Sequence, residues 1–210
     1  MNPLASLAAS PLWSQPPLAI AADLIVSAAF VLVAGAIILD FAAYHRRDTE
    51  VVSSDRSLVE TGSMTAFFVV YYLVVRFRLL EPAVPAAARG PMIVAGLLLI
   101  VAGVAFNIWG RLLLKSRWAN QIKIYADHTL VTTGPYAVVR HPLYASLIWI
   151  FVGGALVYAN PLSLVLTLGV FVPMMYVRAK QEDAMLLQNF THEYPRYRAR
   201  TGMFIPKLWG

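Results

Sequence analysis

Residues 127–144 form the most chemically varied stretch of the chain, with the sequence DHTLVTTGPYAVVRHPLY. The stretch contains two of the four histidines, His128 and His141, and a run of 36 uncharged residues follows His141. Because Pro142 removes a backbone donor and disfavours helical backbone at His141, the sequence predicts that a helix begins near Pro142. Arg140 and His141 would then lie where an irregular backbone meets an apolar helix. Hydrogen-bonding side chains at such a junction can form a binding site.

The composition is that of a membrane protein. Of the 210 residues 59% are hydrophobic and only 13% are charged, whereas about 25% are charged in an ordinary soluble domain. The absence of cysteine excludes disulfides, thiolate metal sites and a cysteine nucleophile. No two histidines have metal-ligand spacing on a helix, so the sequence predicts no metal site. The net charge is +6, but most basic residues flank apolar segments, which favours contact with membrane lipids over nucleic-acid binding.

Five apolar segments are predicted to be transmembrane helices, at residues 18–39, 62–80, 91–110, 142–159 and 161–177. A single helix over the last 36 uncharged residues would be ~54 Å long, well beyond the ~30 Å hydrocarbon core. Asn160-Pro161 lies near the middle of this run and marks a turn, so the run is predicted to form a helical hairpin. The predicted fold is an all-α membrane protein with about five transmembrane helices and a C-terminal hairpin.

The distribution of basic residues predicts the orientation in the membrane. With five crossings, 14 of the 17 Lys and Arg residues lie on one side, which predicts a cytoplasmic C-terminus and an external N-terminus. The stretch 127–144 and the tail after residue 177 then share the cytoplasmic face. Two regions follow: an N-terminal membrane region, 1–110, with three spans, and a C-terminal region, 111–210, with the polar loop, the hairpin and the tail.

Arg178, Glu182 and Met185 are spaced i, i+4 and i+7, which predicts one face of a helix that continues from the last span. Two interpretations of the Arg178 and Glu182 pair stay open from the spacing alone. It is either a solvated pair worth a few tenths of a kcal/mol or a charged pair at the mouth of a pocket.

The chain has no G-x-G turn, P-loop, G-x-S-x-G or H-E-x-x-H motif, so the usual cofactor cradles are absent. A different series of motifs runs through its C-terminal part: HTLV at 128–131, GPY at 134–136, RHPLY at 140–144, NP at 160–161, R-x-x-x-E at 178–182, and EYxxY before FIP at 193–206. In this order and spacing, residues 121–206 resemble the isoprenylcysteine carboxyl methyltransferases. The wider group of these membrane methyltransferases includes phospholipid N-methyltransferases.

This resemblance implies an integral-membrane enzyme that uses S-adenosylmethionine to methylate a lipid-like acceptor, in particular the carboxylate of an isoprenylcysteine-like substrate. It implies that cytoplasmic loops and the tail helix hold the cofactor. The implied cofactor-binding residues are Gln121, His128, Thr129, Leu130, Val131, Tyr136, His141, Pro142, Leu143, Tyr144 and Glu182. Arg178 would bind the acceptor, and Arg178 and Glu182 would be the catalytic residues.

Other functions stay open beside this one. Within the methyltransferases these are phospholipid N-methylation and methylation of a small thiol. A sterol-reductase-like enzyme that binds NADPH carries a similar Arg-His-Pro-x-Tyr motif but has about twice as many spans. A non-catalytic membrane scaffold is disfavoured because the implied site residues are retained together.

Two features of the tail concern the membrane surface and the family pattern. Tyr194 and Tyr197 are interpreted as interfacial anchors, and the basic residues 196–200 as a phospholipid-facing patch. The chain has Glu182-Asp183 where the family often has Glu-Glu, and Thr191 where a glycine is common. Residues 1–110 match no motif, so the identity of the acceptor stays open.

Overall fold

The computed structural model describes residues 17–44, 51–55, 58–80, 82, 84–114, 122–125 and 130–207. The helices are α1 (Pro17–Tyr44), α2 (Leu58–Arg76), α3 (Ala86–Leu114), α4 (Pro135–Val138), α5 (Pro142–Val157), α6 (Pro161–Leu166), a π-helical turn (Thr167–Phe171), α7 (Val172–Asn189) and α8 (Glu193–Arg200). Two strands, β1 (Val51–Asp55) and β2 (Ile122–Tyr125), pair antiparallel. The predicted all-α fold is therefore confirmed, and one short antiparallel ribbon accompanies the helices.

The ribbon joins two polar segments that the sequence analysis treats as loops. Its register pairs Val51 with Tyr125 and Asp55 with Ile122, with an irregularity between Val51 and Ser53. Both strands are short and contain β-branched residues, which favour extended backbone. Because strand pairing over this sequence distance has no local signal, the sequence alone did not predict it.

Helices occupy all five segments that were predicted to span the membrane. Two continuous helices, Ala87–Leu114 and Pro161–Asn189, are long and apolar enough for a crossing. Shorter apolar helices cover Ile20–Ala36, Ser63–Arg76 and Pro142–Val157. Many large apolar side chains face outwards: Phe30, Leu98 and Val165 are 69%, 67% and 64% exposed. Such surfaces suit contact with lipid, whereas the number of crossings stays a prediction.

The predicted hairpin is confirmed, and side-chain hydrogen bonds fix its turn. Ala159 adopts a φ of 49°, and Asn160 caps α6 by accepting a bond from the Ser163 backbone N–H at 2.8 Å. The Asn160 amide also donates to the Leu79 carbonyl at 3.0 Å. The turn is thereby tied to the segment that follows α2.

α3 and α5 pack with their backbones in close contact. Gly96, Gly103 and Gly110 recur every seven residues on α3, and each faces α5. A Cβ atom on Gly153 of α5 would lie 2.6 Å from the Gly96 carbonyl oxygen, and one on Gly103 would lie 2.9 Å from the Ser146 carbonyl oxygen. Small residues at such a crossing let two apolar helices approach closely. This contact fixes the position of the first turn of α5.

An apolar cluster of aromatic side chains seats α7 against α2 and α5. The Phe67 ring of α2 stacks on Phe171 of the π turn at 4.7 Å and meets Phe151 of α5 edge-on at 5.2 Å. Phe171 and Met175 are both completely buried in this cluster. Met175 lies one turn before Arg178, so the cluster also fixes the position of Arg178 along the axis of α7.

The π turn precedes Pro173 in an otherwise continuous helix. Proline lacks the N–H that an α-helix would use, and its ring crowds the carbonyl four residues earlier. A local π turn accommodates such a residue by widening the helix. It also adds a residue to the turn, which changes the direction in which all later side chains of α7 point.

Replacement of Gly153 by alanine should destabilise the protein, because the new methyl group would overlap the backbone of α3. We expect a loss on the order of 1–3 kcal/mol, typical of overpacking, seen as a lower apparent Tm in detergent. Gly35→Ala is the matched control, since a Cβ there would meet no atom within 4 Å. Equal melting of both variants would contradict the close α3–α5 contact.

Candidate active site

The backbone before α5 is held by the C-terminal tail. Since proline follows His141, residues 139–141 are extended or irregular and cannot join a helix. The Arg140 N–H donates to the Gly202 carbonyl at 2.9 Å, and the His141 N–H donates to the Met203 carbonyl at 3.2 Å. A Cβ on Gly202 would overlap the Ile205 carbonyl oxygen, so this contact requires glycine. The predicted junction before Pro142 is therefore ordered by a segment distant in sequence.

His141 lies between the carboxylates of two consecutive residues of α7. Its Nδ1 is 3.2 Å from Oε2 of Glu182, and its Nε2 is 2.6 Å from Oδ1 of Asp183. The side chain is buried. Burial alone would lower the pKa of His141, but the bonds to Asp183 and Glu182 outweigh it and raise the pKa from 6.5 to about 9. His141 is therefore an imidazolium at neutral pH that donates from both nitrogens.

Asp183 joins three segments of the chain. Besides the His141 bond, it accepts from Nε of Arg140 at 3.2 Å and from the Tyr194 hydroxyl. Arg140 also donates from Nη1 to the Thr201 carbonyl at 2.8 Å. The start of α5, the middle of α7 and the first turn of α8 are thus connected through one carboxylate.

The interpretation of Tyr194 and Tyr197 as interfacial anchors is wrong. Both tyrosines are buried on the inner side of α8, and Tyr194 has no exposed surface. The Tyr194 hydroxyl donates to Asp183, and the Tyr197 hydroxyl donates to the Tyr136 carbonyl at 2.8 Å. They anchor the tail to the site and not to a membrane surface.

Arg178 and Tyr144 extend the cluster around His141. The Tyr144 ring lies nearly parallel to the His141 ring, 5.7 Å away between centroids. The Arg178 guanidinium carbon is 5.9 Å from the centre of the Tyr144 ring, and Nη1 is 3.2 Å from the Met64 sulfur of α2. Arg178 is only 8% exposed, so the solvated surface pair does not describe it. The Glu182 side chain is 36% exposed, so the cluster is accessible from the surface at this residue.

Tyr136 reaches the same cluster from α4. The turn before it needs Gly134, whose φ is 59° and whose substitution by a larger residue would make a Cβ overlap the Leu113 side chain. Burial, together with the nearby Glu182 carboxylate, raises the pKa of the Tyr136 hydroxyl. Tyr136 therefore lies within electrostatic reach of Glu182.

The structure brings together five of the implied site residues, namely Tyr136, His141, Tyr144, Arg178 and Glu182. Pro142 is buried in the first turn of α5. Leu143 packs towards α3, where its side chain would touch a Cβ on Gly110. Leu130 and Val131 lie before α4, partly buried. The remaining residues, Gln121, His128 and Thr129, lie outside the described residues.

A buried polar chain behind α5 was missed in the sequence. Nε of Arg111 donates to Asn107 at 2.7 Å, the Asn107 amide donates to the Ser146 hydroxyl at 2.7 Å, and that hydroxyl donates to the Leu143 carbonyl at 2.7 Å. All three side chains are buried. Asn107 and Arg111 are spaced i, i+4 at the end of an apolar run. Polar residues in that setting are a signal that could have been used.

A comparison with known families gives one match that contains this cluster. Residues 95–188 match the model of the isoprenylcysteine carboxyl methyltransferase family. Over this segment, which is just under half of the chain, the chain is similar to that family. The family segment begins inside α3, earlier than the motifs indicate, and ends near the end of α7. It therefore includes Asn107 and Arg111 as well as the five clustered residues.

Individual relatives carry related names. The chain is similar to the protein-S-isoprenylcysteine O-methyltransferase of Saccharomyces cerevisiae, with 38% identity over 81 residues, or 39% of this chain and 34% of the yeast protein. The human protein-S-isoprenylcysteine O-methyltransferase is 30% identical over 122 residues, or 56% of this chain and 42% of the human protein. The nickel-cobalt-cadmium resistance protein NccN of Alcaligenes xylosoxydans xylosoxydans is 32% identical over 118 residues, or 56% of this chain and 51% of that protein. This chain thus spans between about a third and a half of the length of these relatives.

Protonated His141 should make the stability of the fold depend on pH. Its folded pKa of about 9 lies above the ordinary value of 6.5, so the stabilisation is complete below about pH 6.5 and is lost as pH rises through about 9. Between about pH 7 and 10 we expect the free energy of unfolding to fall by roughly 1–3 kcal/mol. The apparent Tm should fall with it.

The His141→Gln variant should be less stable at pH 7 and should show a flatter profile over the same range. His192→Gln is the control, because His192 is an exposed histidine and should keep the wild-type profile. A wild-type Tm that is constant up to pH 10 would show that the imidazolium does not stabilise the fold.

Proposed function

We propose that this chain is an integral-membrane methyltransferase that uses S-adenosylmethionine and acts on a lipid-like acceptor. The carboxylate of an isoprenylcysteine-like group is the preferred substrate. The observation that carries this proposal is the cluster of Tyr144, Arg178 and Glu182 around the buried His141. The family match and the names of the yeast and human relatives support the reaction type.

The residues of the cluster fit the chemistry of the cofactor. When bound, S-adenosylmethionine supplies an electrophilic methyl group on a sulfonium. Glu182 offers a partly exposed carboxylate that would pair with the cofactor's ammonium. Tyr136 and Tyr144 offer aromatic rings, which attract cations such as a sulfonium. Both nitrogens of His141 already bond to carboxylates, so His141 would orient Glu182 and would not itself donate to the cofactor.

Arg178 fits an acceptor that has a polar head and an apolar body. A guanidinium binds a carboxylate through two parallel hydrogen bonds, which fixes its orientation. On its other side Arg178 meets Met64 of α2, whose neighbouring helical surface is apolar, with Val69 and Val70 exposed. The head of a lipid-like substrate would thus meet Arg178 while its apolar part stays near α2.

A carboxylate acceptor needs no general base, because it is already a nucleophile at neutral pH. The work left to the protein is to align the reactants and to exclude water. An amine or a thiol acceptor would first have to lose a proton. The residues described around Arg178 include no neutral base suited to this, which favours the carboxylate over the phospholipid amine and the small thiol.

The membrane topology belongs to this proposal: five crossings with an external N-terminus and cytoplasmic C-terminus and active-site loops. Reporter fusions at residues 2 and 210 should therefore lie on opposite sides of the membrane. An internal fusion at residue 56 should report the same side as residue 210. Labelling of both termini on one side would instead mean an even number of crossings.

Replacement of Arg178 should lower turnover, whereas replacement of Glu182 should lower cofactor affinity. Arg178→Ala should still bind S-adenosylmethionine but should lose about 10²-fold in turnover, because the acceptor is no longer oriented. Glu182→Gln should lose cofactor affinity itself, by on the order of 1–3 kcal/mol. Cofactor affinity by calorimetry and methyl transfer to a farnesylcysteine-type acceptor would measure both effects.

Two further variants control this experiment. Arg178→Lys keeps the charge and should rescue little, since an ammonium lacks the planar fork of a guanidinium. Lys180→Ala removes an exposed cation from the same helix and should leave both readouts unchanged. If Arg178→Ala and Glu182→Gln change both readouts equally, the two residues do not have separate roles.

A further inference from the structure

A groove of about 430 Å³ lies beside α8, and Tyr197 forms part of its lining. Arg196 and Arg200 line it from α8, with Glu193 at the start of that helix. Leu130 and Ala137 line it from the segment around α4. Leu130 is one of the implied cofactor-binding residues, but none of the five residues clustered around His141 lines this groove.

The charge of the groove suits an anion. Arg196 and Arg200 are one helical turn apart, so their side chains lie on the same face of α8. Two guanidinium groups face one carboxylate, that of Glu193, which leaves an excess of positive charge. Guanidinium groups bind phosphate through paired hydrogen bonds. Arg198, on the same helix, does not line the groove.

The surroundings of the groove favour a lipid as the source of that anion. α8 begins at Glu193, shortly after the end of the helix Pro161–Asn189, whose uncharged part ends at Val177. Val138 and Ile205 lie on the two segments that pair next to α8, and they are 41% and 75% exposed. A basic groove flanked by exposed apolar side chains, next to a helix suited to the membrane, matches a phospholipid headgroup and the start of its chains.

The opposite face of α8 contacts the cluster around His141. Tyr194 donates to Asp183, and Tyr197 donates to the Tyr136 carbonyl. Tyr197 also lines the groove. A group that binds to the outer face of α8 would therefore stabilise the same helix that holds Asp183 and Tyr136.

We propose that the groove binds the phosphate of an anionic phospholipid, and that this binding fixes α8 against the active-site cluster. The first part is independent of the proposed methyltransferase function. The second part, an increase in cofactor affinity, rests on that function.

Lipid binding can be tested on the whole protein by native mass spectrometry from nanodiscs of phosphatidylcholine with added phosphatidylglycerol. We expect the wild type to retain phosphatidylglycerol in preference to phosphatidylcholine. Arg196→Gln and Arg200→Gln should each lower this retention about fivefold, and Arg196→Lys should keep most of it. Arg198→Gln is the matched control and should behave as the wild type, because it removes the same charge from the same helix outside the groove.

Three outcomes would overturn the lipid site: no preference for phosphatidylglycerol in the wild type, an equal loss in Arg198→Gln, or displacement of the lipid by inorganic phosphate at millimolar concentration. The last result would assign the groove to free phosphate. Size-exclusion profiles and circular dichroism of each variant confirm that the fold is intact.

The effect of the bound lipid on the active-site cluster can be measured separately. Affinity for S-adenosylmethionine should be higher in nanodiscs that contain phosphatidylglycerol, and the Arg196→Gln/Arg200→Gln double variant should lose this increase. Equal affinity in both lipids, with the lipid still retained, would overturn the connection but not the groove. If no S-adenosylmethionine binds in either lipid while retention follows the two arginines, the proposed function fails and the lipid site stands.

Discussion

The imidazolium of His141 between two consecutive carboxylates is the contact on which the site depends. Glu182 and Asp183 point in directions about 100° apart on α7, so bonds from both nitrogens of one ring set the rotation of α7 as well as its distance from α5. Arg178 lies one turn before this contact, and Tyr144 lies one turn after His141. The distance of 5.9 Å between the Arg178 guanidinium carbon and the centre of the Tyr144 ring therefore follows from the two bonds of His141. A buried ionic group can give such orientation even where its net contribution to stability is small.

The apolar part of the chain supplies the other half of this constraint. Close backbone contact at Gly96 and Gly153 fixes α5 on α3, and the ring contacts of Phe171 fix the π turn on α2 and α5. The extra residue of that turn rotates all later residues of α7 by about 100° relative to an uninterrupted helix. Met175, Arg178 and Asp183 are buried, and all three follow the turn and share this rotation. The turn before Pro173 thus sets how the buried face of α7 is oriented relative to α6.

Local rules predicted the parts of the structure that are local. The prolines predicted where α5 and α6 begin, and Asn160 predicted the turn of the hairpin. The i, i+4 spacing predicted that Arg178 and Glu182 share one face of a helix. The β ribbon, the bonds of Asp183 and the inward direction of Tyr194 depend on partners that are distant in sequence or on another helix. No local pattern specifies such partners. The position of Tyr194 was misjudged because a tyrosine beside a membrane segment has the same local context whether its hydroxyl meets water or a buried carboxylate.

The charges of the cluster bear on which acceptor it suits. Arg140, His141 and Arg178 are cationic when His141 is protonated, and Glu182 and Asp183 are anionic, so these five side chains carry one excess positive charge. Asp183 is fully engaged with Arg140, His141 and Tyr194, and His141 shares Glu182. Arg178 lies at the end of the cluster that faces Met64 of α2. A net positive charge attracts an anionic head and repels an ammonium. For the proposed methyltransferase, the net positive charge of these five side chains would favour a carboxylate acceptor over a lipid amine.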